Sequence, residues 1–452
     1  MRLPFSLSRA ALRAGFCGIL LAMPAWRAGA VTNPLQVLYS GSAPLSAVIA
    51  APDGNYYGTS RYGGISDLGT VFRLSSTGDL QVIYSFTDTG DGANPAAALV
   101  LGPDGNLYGT AQYGGKAQAG GIFEISTNGN INVLHHFNGT TGAEPVGGLV
   151  VGPDGMLYGT TSGGGDYGFG TIFQISTGGV FSNLLSFAGT NGSDPEATLA
   201  VSSTGVLYGT TLGGGAGSAG TVFEITTNGV FRLLFSFDGL DGAMPQGALV
   251  QGRDGAFYGT TGYGGSGFGT VFSITADGTD LTVRYSPNVE DDGSNPTGGV
   301  VIGADGNLYG AALYGGGNGF GCVFQLSSAT GVMPEYSFTG DSTNDGANPA
   351  SGLTSADGYT LFGSTLSGGE FIYYLPPVLK PVPGVVSGSF RFNFVYAPGN
   401  AFKVFGASNL GLPWSSWTDL GNANQGPAPN QYSFTSAPVV RSPEVFFSVR
   451  SQ

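Results

Sequence analysis

The sequence predicts an all-β fold: a seven-bladed β-propeller closed by an N-terminal outer strand and followed by a small C-terminal β-sandwich. Three observations carry this. The tetrad Leu-Tyr-Gly-Thr, or a near copy, places its aromatic at Tyr57, Tyr108, Tyr158, Tyr208, Tyr258, Tyr309 and Phe362, with gaps of 51, 50, 50, 50, 51 and 53 residues. A fixed period of that length marks a repeat architecture. Each copy reads as four short strands, and the two ends of the repeat array are complementary. Composition agrees, since 82 glycines, 12% aromatics and only 10% charged residues suit short strands and tight turns rather than helices or disorder.

Residues 1–30 read as a secretory signal peptide. Arg2, Arg9 and Arg13 form a basic region, Ala14 to Ala25 is apolar, and Ala28-Gly29-Ala30 is a small-residue cleavage site. The apolar run is short for a membrane span, and no later run of about 20 apolar residues follows. The expected product is an exported soluble protein, whether secreted, periplasmic or at the cell surface. Cleavage removes four Arg and no acid, so a formal charge of −14 becomes −18. Residues 31–375 carry 6 basic and 27 acidic side chains, which should repel nucleic acid and anionic membranes. Only Cys322 survives processing, so no intrachain disulfide is expected.

The propeller is read over residues 31–375. In the second copy, Ala98-Leu99-Val100-Leu101 is a short first strand and Pro103-Asp104-Gly105 a turn. Asn106 to Thr110, Gly121 to Ile125 and Asn132 to Phe137 are the next three strands. Four antiparallel strands in about 50 residues make one propeller blade; call them a to d. Gln36-Val37-Leu38-Tyr39-Ser40 matches the d strand Gln81-Val82-Ile83-Tyr84-Ser85 but precedes the first a strand. The last copy runs through Phe371 to Leu375 as its c strand and then meets Pro376 and Pro377, without a d strand. The N-terminal strand is therefore expected to complete the last blade and hide two sheet edges. The competing repeat fold, a parallel β-helix, gives no reason for this exchange.

Phe72, Phe123, Phe173, Phe223, Phe272 and Phe324 hold one c-strand position, and Phe86, Phe137, Phe187, Phe237 and Phe338 one d-strand position. They are expected to be core between stacked blades. One copy has Pro287 at the d position; an outer edge strand should tolerate the missing N–H.

The ordered motifs resemble the Gloeo/Verruco (GloVer) tandem-repeat family of exported bacterial proteins. The carriers are Tyr84-Ser85-Phe86, Asp91-Gly92-Ala93-Asn94-Pro95, Asp104-Gly105-Asn106-Leu107-Tyr108-Gly109-Thr110 and Gly269-Thr270-Val271-Phe272, within residues 36–375. The resemblance implies a secreted or surface protein, often with a C-terminal anchor, and supplies no activity and no catalytic residues. This chain departs from the anchored pattern in ending at Phe446-Phe447-Ser448-Val449-Arg450.

Residues 376–385 read as a Pro-rich linker and 386–452 as a small β-sandwich with alternating strands. Trp414 and Trp417 fit core packing better than sugar stacking.

Strand parity places the a–b and c–d turns on one face and the b–c and d–a loops on the other. The second face holds every loop of varied content, where binding residues concentrate. Its d–a loops carry Asp88, Asp91, Glu144, Asp194, Asp238, Asp241, Glu290, Asp291, Asp292, Asp341 and Asp345; its b–c loops carry Asp67, Asp166 and Glu370. Tyr62, Tyr113, Tyr167, Tyr263 and Tyr314 stud the b–c loops and, with Asp166, are the candidate ligand-binding residues. Three functions compete: a non-catalytic scaffold binding carbohydrate or a surface protein, a carbohydrate-active enzyme using loop carboxylates, and a structural envelope protein. No catalytic residue stands out. His135 and His136 adjoin in a d strand, point to opposite sides and look structural. No cofactor is expected; calcium is weighed at Asp88, Asp91, Asp238 and Asp241, where solvated turn acids are the plainer reading.

Overall fold

The structure, a computed structural model, describes residues 35–39 and 46–375, apart from 76–78, 288–292, 297, 328–330, 342–344, 350–351, 356–359 and 367–368. Beyond these it describes only the strands of the C-terminal segment. Residues 1–30, and with them the expected signal peptide, lie outside the described residues. Among the described residues no helix is long and apolar enough to cross a membrane.

Residues Val37–Ile372 form one unit. Six successive four-stranded antiparallel sheets make a β-propeller arrangement, with strands in chain order within each sheet. The third is typical: Val150–Val151, Leu157–Thr161, Thr171–Ile175 and Phe181–Ser186. Strand a is only two residues long in five of the six and three residues long in the sixth. In every one of these blades the c–d pairing slips by one residue just before the c-strand Phe. Such a bulge sharpens strand twist, and its recurrence shows that the twist belongs to the repeat.

The expectation of seven blades is corrected to six four-stranded ones. The seventh repeat instead gives a three-stranded sheet in the order Leu35–Tyr39, Gly369–Tyr374, Thr360–Thr365. Its inner strand shrinks to the single bridge Thr354↔Phe362, and its outer strand comes from the N-terminal segment. Glu370, read as a loop acid, lies within a strand of this sheet. First and last repeats touch: Tyr56 and Phe362 have ring centroids 4.7 Å apart, and Thr354 Oγ1 donates to the Val48 carbonyl at 3.1 Å.

The described residues from Tyr373 onward belong to a second unit. It contains two antiparallel sheets, one of Lys380–Pro381, Arg391–Val395, Gln431–Thr435 and Asn424–Gln425, the other of Thr418–Asn422, Phe402–Ala407 and Phe446–Ser451. The expected sandwich is shown only as far as these two sheets. Within the expected linker, Lys380–Pro381 is a strand. Trp414 and Trp417 lie outside the described residues.

The core lies between blades. Tyr108, Ile122 and Phe137 of the second blade meet Leu149, Leu157, Phe173 and Ile175 of the third, and the same set recurs around the array. Each d-strand Phe sets its ring against the c-strand Phe of the next repeat, at centroid distances of 5.2–5.4 Å. The same residue's N–H donates to a b–c loop carbonyl, as in Phe187 N to Gly170 O at 2.9 Å. The lost N–H of Pro287 is therefore not harmless edge geometry, as the sequence reading had it. Elsewhere that N–H makes an internal bond, and at Pro287 a void of about 10 Å³ opens among Val271, Tyr285, Gly293, Pro296, Ala312 and Phe324.

The tetrad itself is structural. Its Tyr is buried, half-buried in the case of Tyr258, and its hydroxyl donates to the Asp of the preceding Asp-Gly turn: Tyr57 to Asp53 at 2.8 Å, Tyr108 to Asp104 and Tyr158 to Asp154 at 2.6 Å, Tyr258 to Asp254 and Tyr309 to Asp305 at 2.7 Å. The fourth copy has Thr204 in place of that Asp, and Tyr208 OH donates to Ala276 O at 3.2 Å instead. Burial, then the bond to an ionised carboxylate, pushes Tyr57 up to about 12 and raises Tyr108, Tyr158 and Tyr309 as well. A phenol whose folded value lies above its unfolded value of 10 stabilises fully below pH 10 and loses that contribution as pH rises toward 12. Tyrosinate absorbance should therefore stop short of complete ionisation until the protein unfolds. Full ionisation of all 21 tyrosines with native circular dichroism intact would refute these locks.

Candidate functional site

The b–c and d–a loops are tied together by backbone bonds that repeat from blade to blade. Each d–a loop crosses from one blade to the next and is stapled to both. Asp194 is an example: its N–H donates to Phe169 O of the preceding blade at 3.1 Å, and its carbonyl accepts Leu212 N–H of the following blade at 2.9 Å. The residue before it pairs with the b–c loop of the following blade, as the bridges Ala93↔Tyr113, Ala143↔Gly163, Ser193↔Gly213, Ala243↔Tyr263 and Ser294↔Tyr314 show.

At the staple, the residue before the Pro adopts the left-handed conformation in every described copy: Asn94, Glu144, Asp194, Met244, Asn295 and Asn348, with φ of 53–58°. Asn and Asp tolerate this region, and larger side chains such as Glu and Met are strained there. The three Asn also do structural work. Asn94 Nδ2 donates to Arg61 O at 2.9 Å, Asn295 Nδ2 to Gly262 O at 2.8 Å and Asn348 Nδ2 to Leu313 O at 2.9 Å. Glu144, Asp194 and Met244 have no donor to make that bond.

The sequence-predicted tyrosines are exposed on this face. Tyr62 is 44% accessible, Tyr113 37%, Tyr263 54% and Tyr314 48%, and these four share one repeat position. The third and fourth blades have Gly163 and Gly213 there. Tyr167, at 63%, stands later in its own loop beside the exposed Asp166. This face therefore carries tyrosines in four repeats, and the acids Glu144 and Asp194 sit where two of the six lack them.

The acids Glu144, Asp194 and Glu196 are electrostatic neighbours. Burial, then the charge of Glu144, raises the Asp194 carboxyl above its usual range. Burial also raises Glu196, against a bond from Gln246 Nε2 at 3.4 Å; Asp194 raises it further and the Arg61 cation draws it down. Arg61 extends to Gln112 Oε1 at 2.7 Å, Gln112 Nε2 reaches the Tyr113 hydroxyl at 3.0 Å, and the Arg61 guanidinium carbon lies 5.9 Å over the Tyr62 ring. Sequence reasoning found Glu144 and Asp194 but missed Arg61, Gln112, Glu196 and Gln246. A signal existed at the staple, where acids replace the Asn of the Asn-Pro pair; nothing local marked Arg61 or Gln246.

A raised carboxyl stabilises the fold below its unfolded value, and that stability is lost as pH rises through the folded value. For Asp194 and Glu196 the window opens near the ordinary values of 3.8 and 4.5 and extends upward. Asp194→Asn should therefore raise Tm at neutral pH, and Asn can also regain the bond to the neighbouring loop, worth about 0.5–1.5 kcal/mol. The charge-derived part of the gain should shrink on titration toward pH 4. A substitution that lowers Tm at pH 7 would show that the acid is structural.

The weighed calcium residues are engaged by their own loops. Asp91 Oδ2 accepts Tyr84 OH and Thr87 N, each at 2.8 Å, and Asp88 Oδ1 accepts Gly115 N at 3.2 Å. Asp241 Oδ1 accepts Asp238 N at 3.2 Å, and Asp238 Oδ1 accepts Leu240 N at 2.8 Å. A hard cation needs six or more oxygens, and among the described residues no group of three or more His, Cys, Asp or Glu side chains is placed to hold a metal. His135 stacks on Phe181 at 3.7 Å, and burial lowers it to about 4. Glu290, Asp291 and Asp292 lie outside the described residues.

Repeated four-stranded sheets with a constant turn face and a varied loop face define a propeller-type repeat protein. The profile of the Gloeobacter/Verrucomicrobia repeat matches residues 31–203 and 177–374. The chain belongs to that repeat family. Among solved structures, the extracellular domain of a hybrid two-component system from B. thetaiotaomicron is similar at TM-score 0.55 and 9% identity, over 81% of this chain and 46% of that one. The chain thus spans about half the length of that relative, and the likeness shows fold alone. A gluconolactonase from Xanthomonas campestris is similar at TM-score 0.43 and 14% identity, over 82% of this chain and 95% of that one. A puromycin-hydrolyzing peptidase from Mycobacterium tuberculosis is similar at TM-score 0.46 and 14% identity, over 79% and 59%. Comparison with curated proteins finds no match.

Proposed function

We propose that this chain is an exported, non-catalytic binding scaffold that engages a glycan or a surface protein through its b–c and d–a loop face. In this reading residues 1–30 are a signal peptide. The three-stranded sheet closes the six-bladed array, and the C-terminal sheets form a small sandwich.

One observation carries the reading. At the staple before the Pro, three copies use Asn, which suits the backbone and ties the neighbouring loop. Other copies hold Glu144 and Asp194 at the same φ without that tie. Backbone strain retained at Glu144, and a loop tie given up at Asp194, are marks of function, and the exposed tyrosines on the same face offer amphipathic rings for contact.

The test is an array of glycans and peptides probed with the processed protein and with a Tyr113→Ala/Tyr263→Ala variant. Binding that drops about tenfold in the variant, with Tm within a degree or so of the parent, is the expected result. Silence across the array, or binding indifferent to the two tyrosines, would sink the proposal.

A further inference from the structure

The varied loop face is asymmetric in a way that specifies the charge of its partner. Among the described residues, the b–c and d–a loops carry eleven carboxylates and two cations, Arg61 and Lys116. The tyrosines Tyr113, Tyr263 and Tyr314 are exposed at one repeat position. Where that position becomes Gly163 and Gly213, the acids Glu144, Asp194 and Glu196 take over. The face also contains one example of the contact it favours: the Arg61 guanidinium over the Tyr62 ring. Aromatic faces attract guanidinium and ammonium groups, and a field of one sign steers and selects partners of the other.

We propose that this aromatic and acidic loop face is a docking surface for a basic polypeptide segment, whose Arg and Lys side chains lie between the tyrosine rings and the carboxylates. The inference rests on the binding-face reading above and narrows its partner. A neutral glycan can donate hydroxyl hydrogen bonds to the carboxylates but gains nothing from their net charge, and an acidic glycan is repelled by it. A basic segment gains from both components of the face. The staples favour this use, because a loop layer bonded to two blades is ordered before the partner arrives and little ordering cost falls on binding.

The test uses the full processed chain and fluorescence anisotropy with three probes: an alternating Arg-Gly dodecapeptide, its Glu-Gly counterpart and a neutral cello-oligosaccharide. The Arg-Gly peptide should bind and the Glu-Gly peptide should not, with affinity falling about tenfold or more between low and high salt. Glu144→Gln/Asp194→Asn/Glu196→Gln should weaken binding about tenfold or more. A charge-matched change on the opposite turns, Asp79→Asn/Asp277→Asn/Asp280→Asn, should leave it within about twofold. Tyr113→Ala/Tyr263→Ala, which leaves charge unchanged, should weaken it about three- to tenfold. Melting curves establish that each variant is folded.

Equal weakening by the two charge-matched triples would overturn the surface assignment and leave only general attraction to an acidic protein. Binding of the oligosaccharide in place of the Arg-Gly peptide, sensitive to the tyrosines, would overturn the partner class while the binding-face reading stands. Silence from all three probes and from the broader array would overturn both.

Discussion

Pro287→Phe is expected to stabilise the protein by about 1–2 kcal/mol. The ring would replace the proline among Val271, Tyr285, Ala312 and Phe324, where the void of about 10 Å³ is only water-sized, so the neighbouring segments must part to admit it. Burying a Phe side chain contributes roughly 1.5–3 kcal/mol. An edge-to-face partner in Phe324, matching the 5.2–5.4 Å pairs of the other repeats, adds about 0.5–1.5 kcal/mol. The new N–H can reach Gly269 O, as its equivalents reach Gly69, Gly120, Gly170, Gly220 and Gly321, for about 0.5–1.5 kcal/mol more. Loss of the proline's restraint on the unfolded chain subtracts about 0.4–1 kcal/mol, and parting the packed segments around the ring subtracts about 1–3 kcal/mol more. Chemical denaturation of the two proteins decides it. An unchanged or lower midpoint would mean that the neighbouring segments have closed around Pro287 and no longer admit a ring.

The second large effect is in the opposite direction. Gly159→Ala should cost about 2–3 kcal/mol by overpacking. A Cβ at residue 159 would lie 2.6 Å from Phe173 Cζ and 2.9 Å from Leu149 Cδ2. The same conflict, at 2.4–2.7 Å, awaits a Cβ at Gly58, Gly109, Gly209, Gly259, Gly310 and Gly363. The glycine of the tetrad is thus required by the c-strand Phe, whose ring tip abuts it, rather than by an unusual φ. Phe173→Leu removes that ring tip, so the double variant should lose at least about 1 kcal/mol less than the sum of the single losses. Strictly additive losses would show that the two residues are not coupled.

The fold was legible because its signals are local and repeated. Tyr108, Gly109, Phe123 and the Pro-Asp-Gly turn recur at one spacing, and each has one structural task. The blade count was less legible. A strand of two residues, such as Val150–Val151, has almost no periodicity to detect, so the reduction of the seventh inner strand to one bridge left no mark in the sequence. The Pro287 effect was misjudged for a related reason. Whether a d-strand N–H points to solvent or to the Gly of its own b–c loop is a matter of register, which single residues do not reveal.

The loop face was legible as a list and not as an arrangement. The tyrosines were found because strand parity assigns loops to faces. Arg61, Gln112, Glu196 and Gln246 were not, because they come from different repeats. Gln112 meets Arg61 across 51 residues of chain, and Gln246 meets Glu196 across 50. The useful signal was disagreement between copies at a constrained position, Glu144 and Asp194 in place of Asn.

The contact between Thr354 and Val48 spans 306 residues, whereas the other blade interfaces join neighbours one repeat apart. Neighbouring interfaces can form as soon as two consecutive repeats exist. The terminal contact must wait for the last repeat, and its loop-closure cost grows only slowly with the length of chain between its partners. Folding should therefore separate into a fast stacking stage and a late joining stage, with an open-ended stack between them whose terminal sheet faces are unsatisfied. Removing residues 35–39 would leave the stacking stage intact and slow or abolish the joining one. An amphipathic strand supplied as a separate peptide with that sequence is then a reagent for restoring it, and its rate of incorporation would time the last step of assembly.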